Sequence, residues 1–153
     1  MVTHRRITTL VSLLTILLGA CVTEEGQSVF GPSSLASFLT GSLRSASAGS
    51  PLPTTEACGD FSWSPSETMA GTYSGDFSAT CANDVQLEDT ATGILVGDVL
   101  NITATGTATQ SNLPPCPFTI DGTAQLVNGT IELEYSGTTC LGPISGTEIL
   151  TAS

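Results

Sequence analysis

The sequence has almost no basic residues and no lysine. Its 153 residues include 14 Asp or Glu but only three Arg, which gives a formal net charge of −11. From residue 57 onward there is no Lys, Arg or His, although 11 of the 14 carboxylates lie there. Such a surface cannot neutralise phosphates, so nucleic-acid binding is not an expected function. The only histidine, His4, lies near the N-terminus. Residues 57–153 therefore have no histidine to act as a general base or zinc ligand.

A long hydrophobic run is also missing. The apolar stretch Ile7–Leu18 has 12 residues and follows the basic start MVTHRR. A membrane-spanning helix needs about 20 residues, whereas a signal peptide needs a short positive segment and a shorter apolar one. Residues 1–20 are therefore predicted to be a signal peptide.

The apolar run ends in Leu18-Gly19-Ala20-Cys21, which resembles the lipobox of bacterial lipoproteins. The resemblance implies cleavage before Cys21, a diacylglyceryl thioether on its sulfur, and an acyl chain such as palmitate on its amino group. The membrane is then the expected partner, contacted through this lipid, and the protein lies in the cell envelope outside the cytoplasm. Because Val22 rather than Asp follows Cys21, the resemblance implies the outer membrane in a diderm host.

Residues 21–56 are predicted to be the lipidated N-terminus and a tether, because they are rich in Ser, Gly and Pro. Within them, the segment 33–43 places four apolar side chains at helical spacing behind a serine. The spacing predicts either a short amphipathic helix that docks on the domain, the bilayer or a partner, or a frayed segment. The four side chains are Leu35, Phe38, Leu39 and Leu43.

Residues 57–153 show the period-two alternation of β-strands. Asn128-Gly129 predicts a type I′ turn, and pairing outward from it sets Leu126 against Ile131 and Gly122 against Tyr135. This register gathers the apolar side chains on one face. The predicted inner face comprises Phe118, Ile120, Ala124, Leu126, Ile131, Leu133 and Tyr135.

Four cysteines remain after Cys21, and four cysteines allow three pairings. In the hairpin register, Cys140 falls opposite Pro117, next to Cys116, and a bulge at Gly137 would align the sulfurs. We therefore expect a Cys116–Cys140 disulfide, with Cys58–Cys81 following by elimination. Disulfides indicate an oxidising compartment outside the cytoplasm.

Further alternating segments predict an all-β fold, a small antiparallel meander of about six to eight strands, as an up-and-down barrel or a sandwich. The predicted strands include Thr72–Cys81, Val85–Asp89, Gly93–Gly97 and Asp98–Thr109, and Gly146–Thr151 closes the sheet. The motifs at 71–75, 116–123 and 135–140 resemble small secreted β-meander lipoproteins and, loosely, lipocalin-type barrels. The Gly-x-Trp motif of lipocalins is missing around Trp63, so no functional residue is carried over.

Candidate chemistry in this region is limited to carboxylates. Glu132 and Glu134 lie on one strand face about 7 Å apart, near the spacing of a glycosidase acid/base pair. The alternative is that both are solvated surface groups. Acids in or near turns offer hard oxygen ligands for Ca²⁺, although no calcium-loop motif is present. These acids are Asp84, Glu88, Asp89 and Asp98.

Together these features predict a lipid-anchored extracytoplasmic protein that binds a ligand or a surface partner and is not an enzyme. No cofactor or metal site is expected. A small barrel that carries an apolar ligand is the first alternative, with its pocket lined by the inner face of the 116–140 hairpin. A carboxylate-dependent glycosidase is the second alternative.

Overall fold

Alternating apolar and polar residues form eight antiparallel strands that close into a barrel in sequence order. The structure, a computed structural model, describes residues 34–153; the predicted signal peptide (residues 1–20) and Cys21 lie outside these residues. The elements are a one-turn helix α1 (Leu35–Phe38), β1 (Leu43–Ser45), β2 (Cys58–Met69), β3 (Thr72–Cys81), a 3₁₀ turn (Ala82–Asp84), β4 (Val85–Val96), β5 (Val99–Thr109), β6 (Cys116–Val127), β7 (Thr130–Thr139) and β8 (Gly142–Ala152).

The predicted all-β meander is confirmed, and it is a closed barrel rather than a sandwich. The β6–β7 register is the expected one, with Leu126 opposite Ile131 and Gly122 opposite Tyr135. Asn128 and Gly129 both have positive φ, of 51° and 85°, as a type I′ turn requires. The inner face of this hairpin is buried apart from Leu126, which is partly buried and packs against the core.

Two predicted details were wrong. The two predicted strands Val85–Asp89 and Gly93–Gly97 are one 12-residue strand, β4, which ends at Val96. No bulge occurs at Gly137, which pairs directly with Ile120. A side chain at Gly137 would collide with the backbone carbonyl of Thr119, so glycine permits this close approach of the strands.

Both disulfides form with the expected pairing. Cys58 and Cys81 lie directly opposite each other on β2 and β3. Cys116 reaches Cys140 diagonally across a Cα–Cα distance of 6.0 Å, within the ordinary range for a disulfide, so no bulge is needed. The two bonds lie at one end of the barrel, where β2, β4, β6 and β8 begin. We call this the disulfide end.

The opposite end holds the β2–β3, β4–β5 and β6–β7 turns and the last residues of β8. We call it the hairpin end. The chain enters the barrel here, because β1 pairs its Leu43 with Ala152 of β8 and with Trp63 of β2. The preceding helix α1 adds Leu35 to the buried core, and its C-cap residue adds Leu39. Within residues 34–153, no helix is both long and apolar enough to span a membrane.

One strand of the barrel, β1, precedes the predicted domain boundary at residue 57. Strand β1 lies within the proposed tether, yet it is the strand that completes the barrel between β2 and β8. Of the segment 33–43, the described residues 34–43 dock on the domain, because Leu35, Leu39 and Leu43 are all buried. Ser34 precedes the helix as expected, but its side chain makes no capping hydrogen bond.

Candidate binding site

The interior of the barrel is filled by side chains. Its internal cavity measures about 20 Å³ and is apolar, lined by residues that include Phe61, Trp63 and Leu133. A single water needs roughly 10–15 Å³, so this space cannot hold an organic ligand. Among the described residues, the Trp63 Nε1 atom is a buried donor without a hydrogen-bond partner. The apolar-carrier alternative finds no support in this interior.

A larger pocket, of about 590 Å³, lies at the disulfide end. The pocket arises because β1 has only three residues and ends at Ser45. Strand β1 therefore covers the space between β2 and β8 only on the side of the hairpin end. The following segment, residues 46–57, takes the place of a strand between β2 and β8 on the side of the disulfide end. It is fixed by backbone hydrogen bonds from Ala46 N to Ile149 O (2.8 Å) and from Ser145 N to Glu56 O (2.9 Å).

A β-bulge in β2 forms one wall of this pocket. The register between β2 and β3 shifts between Gly59 and Ser62, and Asp60 has a φ of 51°, a conformation unusual for a residue with a side chain. The bulge turns the Asp60 carboxylate outward, where it accepts a hydrogen bond from Gly49 N. Asn83 and Asp84 in the 3₁₀ turn also have positive φ and also line the pocket.

The most unusual group in the pocket is Glu148. It occupies an inward-facing position on β8, two residues before the core residue Leu150, and is only 8 % exposed. Ser47 Oγ donates to Glu148 Oε1 at 3.0 Å, and within residues 34–153 this is the only hydrogen bond to the carboxylate. Glu148 lines the pocket, and among the described residues its Oε2 atom has no hydrogen-bond partner.

Glu148 also affects the pKa of its neighbour Tyr135. The Tyr135 hydroxyl accepts a hydrogen bond from Cys58 N (2.6 Å) and donates one to Cys58 O (2.8 Å). Burial raises the pKa of Tyr135 and the Glu148 carboxylate raises it further, whereas the bond to the Cys58 backbone opposes both effects. Gly146 makes room for this ring, because a Cβ there would lie 2.6 Å from the hydroxyl.

The pocket combines negative charge with an apolar lining. Asp60, Asp84 and Glu148 supply three carboxylates, and the segment 46–57 supplies two prolines and Leu52. Within residues 34–153 no three acidic, His or Cys side chains are grouped closely enough to hold a metal ion. The separated carboxylates are instead suited to an organic cation with an apolar body.

The structure does not bring the four acids considered as calcium ligands together. Asp84 lies at the start of β4 and Asp98 beyond its end, so a 12-residue strand separates them. Glu88 and Asp89 lie between, in the strand itself. Of the four, only Asp84 lines the pocket.

Glu132 and Glu134 are exposed on the outer face of β7, as their alternation indicates. They line a groove of about 200 Å³ with Thr123, Gln125 and Val127. Nothing buries either carboxylate.

Sequence reasoning missed Glu148, Asp60 and the whole segment 46–57 as site components. A signal for Glu148 was present, because alternation back from Leu150 places a charged residue at an inward position. Asp60 gave no such signal, since its orientation depends on a bulge. No family model, no curated protein and no solved structure matches this chain.

Proposed function

We propose that this protein is a lipid-anchored extracytoplasmic binding protein, not an enzyme, and that it binds a small organic cation in the pocket at the disulfide end. The observation that carries the proposal is Glu148, a carboxylate that is 8 % exposed, lines the pocket and accepts one hydrogen bond, from a neutral hydroxyl, among the described residues. Burial of a charge is unfavourable unless a partner compensates it. An ammonium or guanidinium group of a ligand supplies that compensation.

The rest of the pocket supports the same ligand class. Asp60 and Asp84 attract a positive charge to the entrance, and Leu52 offers an apolar surface for the carbon chain of the ligand. The chain itself offers little competition, because Arg44 is the only basic residue from 34 onward and is exposed on β1. A volume of about 590 Å³ lies within the range of small-molecule sites.

The non-catalytic assignment rests on the residue types available. Nucleophilic catalysis needs a nucleophile beside a base. Residues 57–153 contain no His or Lys, and their four cysteines are all in disulfides. The glycosidase alternative depends on Glu132 and Glu134, and their exposure on the outer wall gives it no specific support.

The lipid anchor rests on the lipobox at Cys21, and the two disulfides agree with an oxidising compartment. The intact mass of the protein from its host's membrane fraction tests this part. We expect a chain that begins at an acylated Cys21 and gains two hydrogens per disulfide on reduction. An unacylated species in the soluble fraction would contradict the anchor and leave the pocket proposal unaffected.

The pocket is tested by titrating the protein with putrescine, a small diamine, and following the backbone amide NMR signals. We expect saturable shifts in residues 46–60 and around Glu148, and a Glu148→Gln variant that binds about tenfold more weakly, since a hydrogen bond to a charged group contributes about 1.5–3 kcal/mol. The uncharged analogue 1,4-butanediol should cause no such shifts.

A matched control is Glu132→Gln, which removes the same charge from the outer wall and should leave putrescine binding unchanged. Equal weakening in both variants would mean that net charge, and not the pocket, attracts the diamine. Unchanged binding in Glu148→Gln would contradict the assigned role of this carboxylate.

A further inference from the structure

The three turns at the hairpin end all carry exposed apolar side chains. Met69 enters the β2–β3 turn, Val96 the β4–β5 turn and Val127 the β6–β7 turn, and they are 69 %, 63 % and 39 % exposed. Ile94, two residues before Val96, is 52 % exposed. These side chains form an apolar rim around this end of the barrel, which we call the hairpin rim.

The chain also reaches the barrel at this end. Leu43 of β1 pairs with Ala152, and α1 immediately precedes β1. Only 12 residues lie between Cys21 and Ser34, the first described residue. A Ser/Gly-rich linker of that length spans about 20 Å on average, so a membrane holding Cys21 would lie close to the hairpin rim.

The two ends of the barrel also differ in charge, and the hairpin end is the less acidic of the two. Glu67, Asp98 and Glu132 are acids near the hairpin rim, and Glu67 already accepts a hydrogen bond from Gly71 N. Four acids lie around the disulfide end: Glu56, Asp60, Asp84 and Glu148. Arg44, which pairs with Thr151 of β8, is the one basic residue of the described chain and lies toward this end, where the acids outnumber it. A surface with net negative charge does not favour anionic lipid, so its expected occupant is neutral and apolar.

We propose that the hairpin rim rests on a neutral lipid bilayer, with Met69, Ile94, Val96 and Val127 at the boundary between headgroups and acyl chains. Amphipathic surfaces bind bilayers in this way in proportion to the apolar area that they bury. The barrel then stands upright on the membrane, and the pocket at the disulfide end faces away from it. This inference goes beyond the proposed ligand binding and adds a fixed orientation.

The test uses a native probe, because Met69 is the only methionine after residue 1. The chain from Cys21 to Ser153 contains every described element, and Cys21 is the one cysteine outside the disulfides. Its thiol is coupled to a maleimide phospholipid in phosphatidylcholine vesicles, which makes the test independent of natural acylation. Oxidation of Met69 by chloramine-T is then followed by peptide mass spectrometry.

A Leu141→Met substitution adds a matched probe at the disulfide end, where Leu141 is 41 % exposed in the β7–β8 turn. We expect vesicle tethering to slow oxidation of Met69 several-fold relative to the free chain and to leave oxidation at position 141 unchanged. A Val96→Asp/Val127→Asp variant, shown by circular dichroism to be folded, should return Met69 to its free rate.

An unchanged Met69 rate on tethering would overturn the proposal, and so would equal slowing of both probes. Protection of Met69 without vesicles that grows with protein concentration would assign the hairpin rim to a second copy of the chain instead. Protection should weaken when anionic phosphatidylglycerol is added, and stronger protection would overturn the assignment to a neutral surface. Failure of this test leaves the anchor and the cation pocket standing.

Discussion

The two ends of the barrel are closed in different ways. At the hairpin end, α1 and its C-cap residue supply Leu35 and Leu39 to the buried core, and neither described disulfide lies at this end. At the disulfide end, two cystines join β2 to β3 and β6 to the end of β7. Apolar packing holds the first end together, whereas covalent bonds stabilise the second around a polar pocket.

This difference shows how a small barrel can keep a polar opening. A buried carboxylate such as Glu148 contributes little to folding, and a pocket of about 590 Å³ removes side-chain packing from the same region. Disulfides restore stability without filling that space, because much of their effect is to restrict the unfolded chain. At the hairpin end, Leu35 and Leu39 are buried in the core and Phe38 packs against it.

The largest effect is therefore expected from removing both disulfides. Each closes a loop of similar length, with separations of 23 and 24 residues, and each should contribute about 3–4 kcal/mol. Their combined loss approaches the whole stability of a typical domain, about 5–15 kcal/mol. We expect the variant with all four cysteines changed to Ala to be largely unfolded by circular dichroism at 37 °C.

Separate pair variants refine this prediction. Cys58 and Cys81 are buried, whereas Cys140 is exposed, so Cys58→Ala/Cys81→Ala should lower the urea midpoint more than Cys116→Ala/Cys140→Ala. A four-cysteine variant that stays folded with a loss below about 2 kcal/mol would show that packing, and not the cystines, holds the disulfide end.

The second effect tests the opposite end. Leu39 is fully buried, so Leu39→Ala removes packed methyl groups from the closing helix and should cost about 3 kcal/mol. The control is Leu113→Ala in the exposed β5–β6 loop, which should change the free energy of unfolding by less than about 0.5 kcal/mol. Equal losses of unfolding free energy for Leu39→Ala and Leu113→Ala in urea would mean that the α1 segment does not close the barrel.

Much of this architecture could be predicted from the sequence, because it depends on local signals. Asn128-Gly129 fixes the β6–β7 register, and that register brings Cys116 near Cys140. Strand β1 could not be predicted, since three residues are too few to show a period of two. Leu43–Ser45 is a strand only because β2 and β8 flank it.

The pocket was less predictable than the strands for the same reason. It depends on where β1 stops, on the bulge at Asp60 and on the path of residues 46–57, all of which are set by tertiary contacts. The composition of that segment is typical of a flexible linker. Only the inward position of Glu148 was readable from alternation.

A third, smaller effect concerns the hydroxyl of Tyr135, which links the core to the pocket wall. Tyr135→Phe leaves the buried N–H and C=O of Cys58 without this partner and should cost about 1–3 kcal/mol at neutral pH. Tyr73→Phe is the control, because within residues 34–153 the Tyr73 hydroxyl makes no hydrogen bond. Equal losses would mean that the bonds to Cys58 contribute nothing.

The same tyrosine sets a dependence on pH. Burial raises the pKa of Tyr135 in the folded state, so the unfolded chain loses this proton first as pH increases. The contribution of Tyr135 to the free energy of unfolding should be fully present below about pH 10, the pKa of an unperturbed tyrosine. It should fall as the pH rises above that value. Burial also raises the pKa of Tyr73, so Tyr135→Phe should reduce this loss without abolishing it.

The smallest expected effect on the free energy of unfolding comes from the hairpin rim. It tests whether the rim side chains, unlike the buried leucines at this end, contribute nothing to stability. Val96 is 63 % exposed, so Val96→Asp should change the free energy of unfolding by less than about 0.5 kcal/mol in urea unfolding without lipid. Thr92→Asp, on the same exposed face of β4, is the matched control for added charge. If Val96→Asp costs clearly more than Thr92→Asp, the rim stabilises the fold and its exposure needs no membrane. If the two agree, the apolar side chains at this end divide into leucines that close the barrel and rim residues left free to contact a surface.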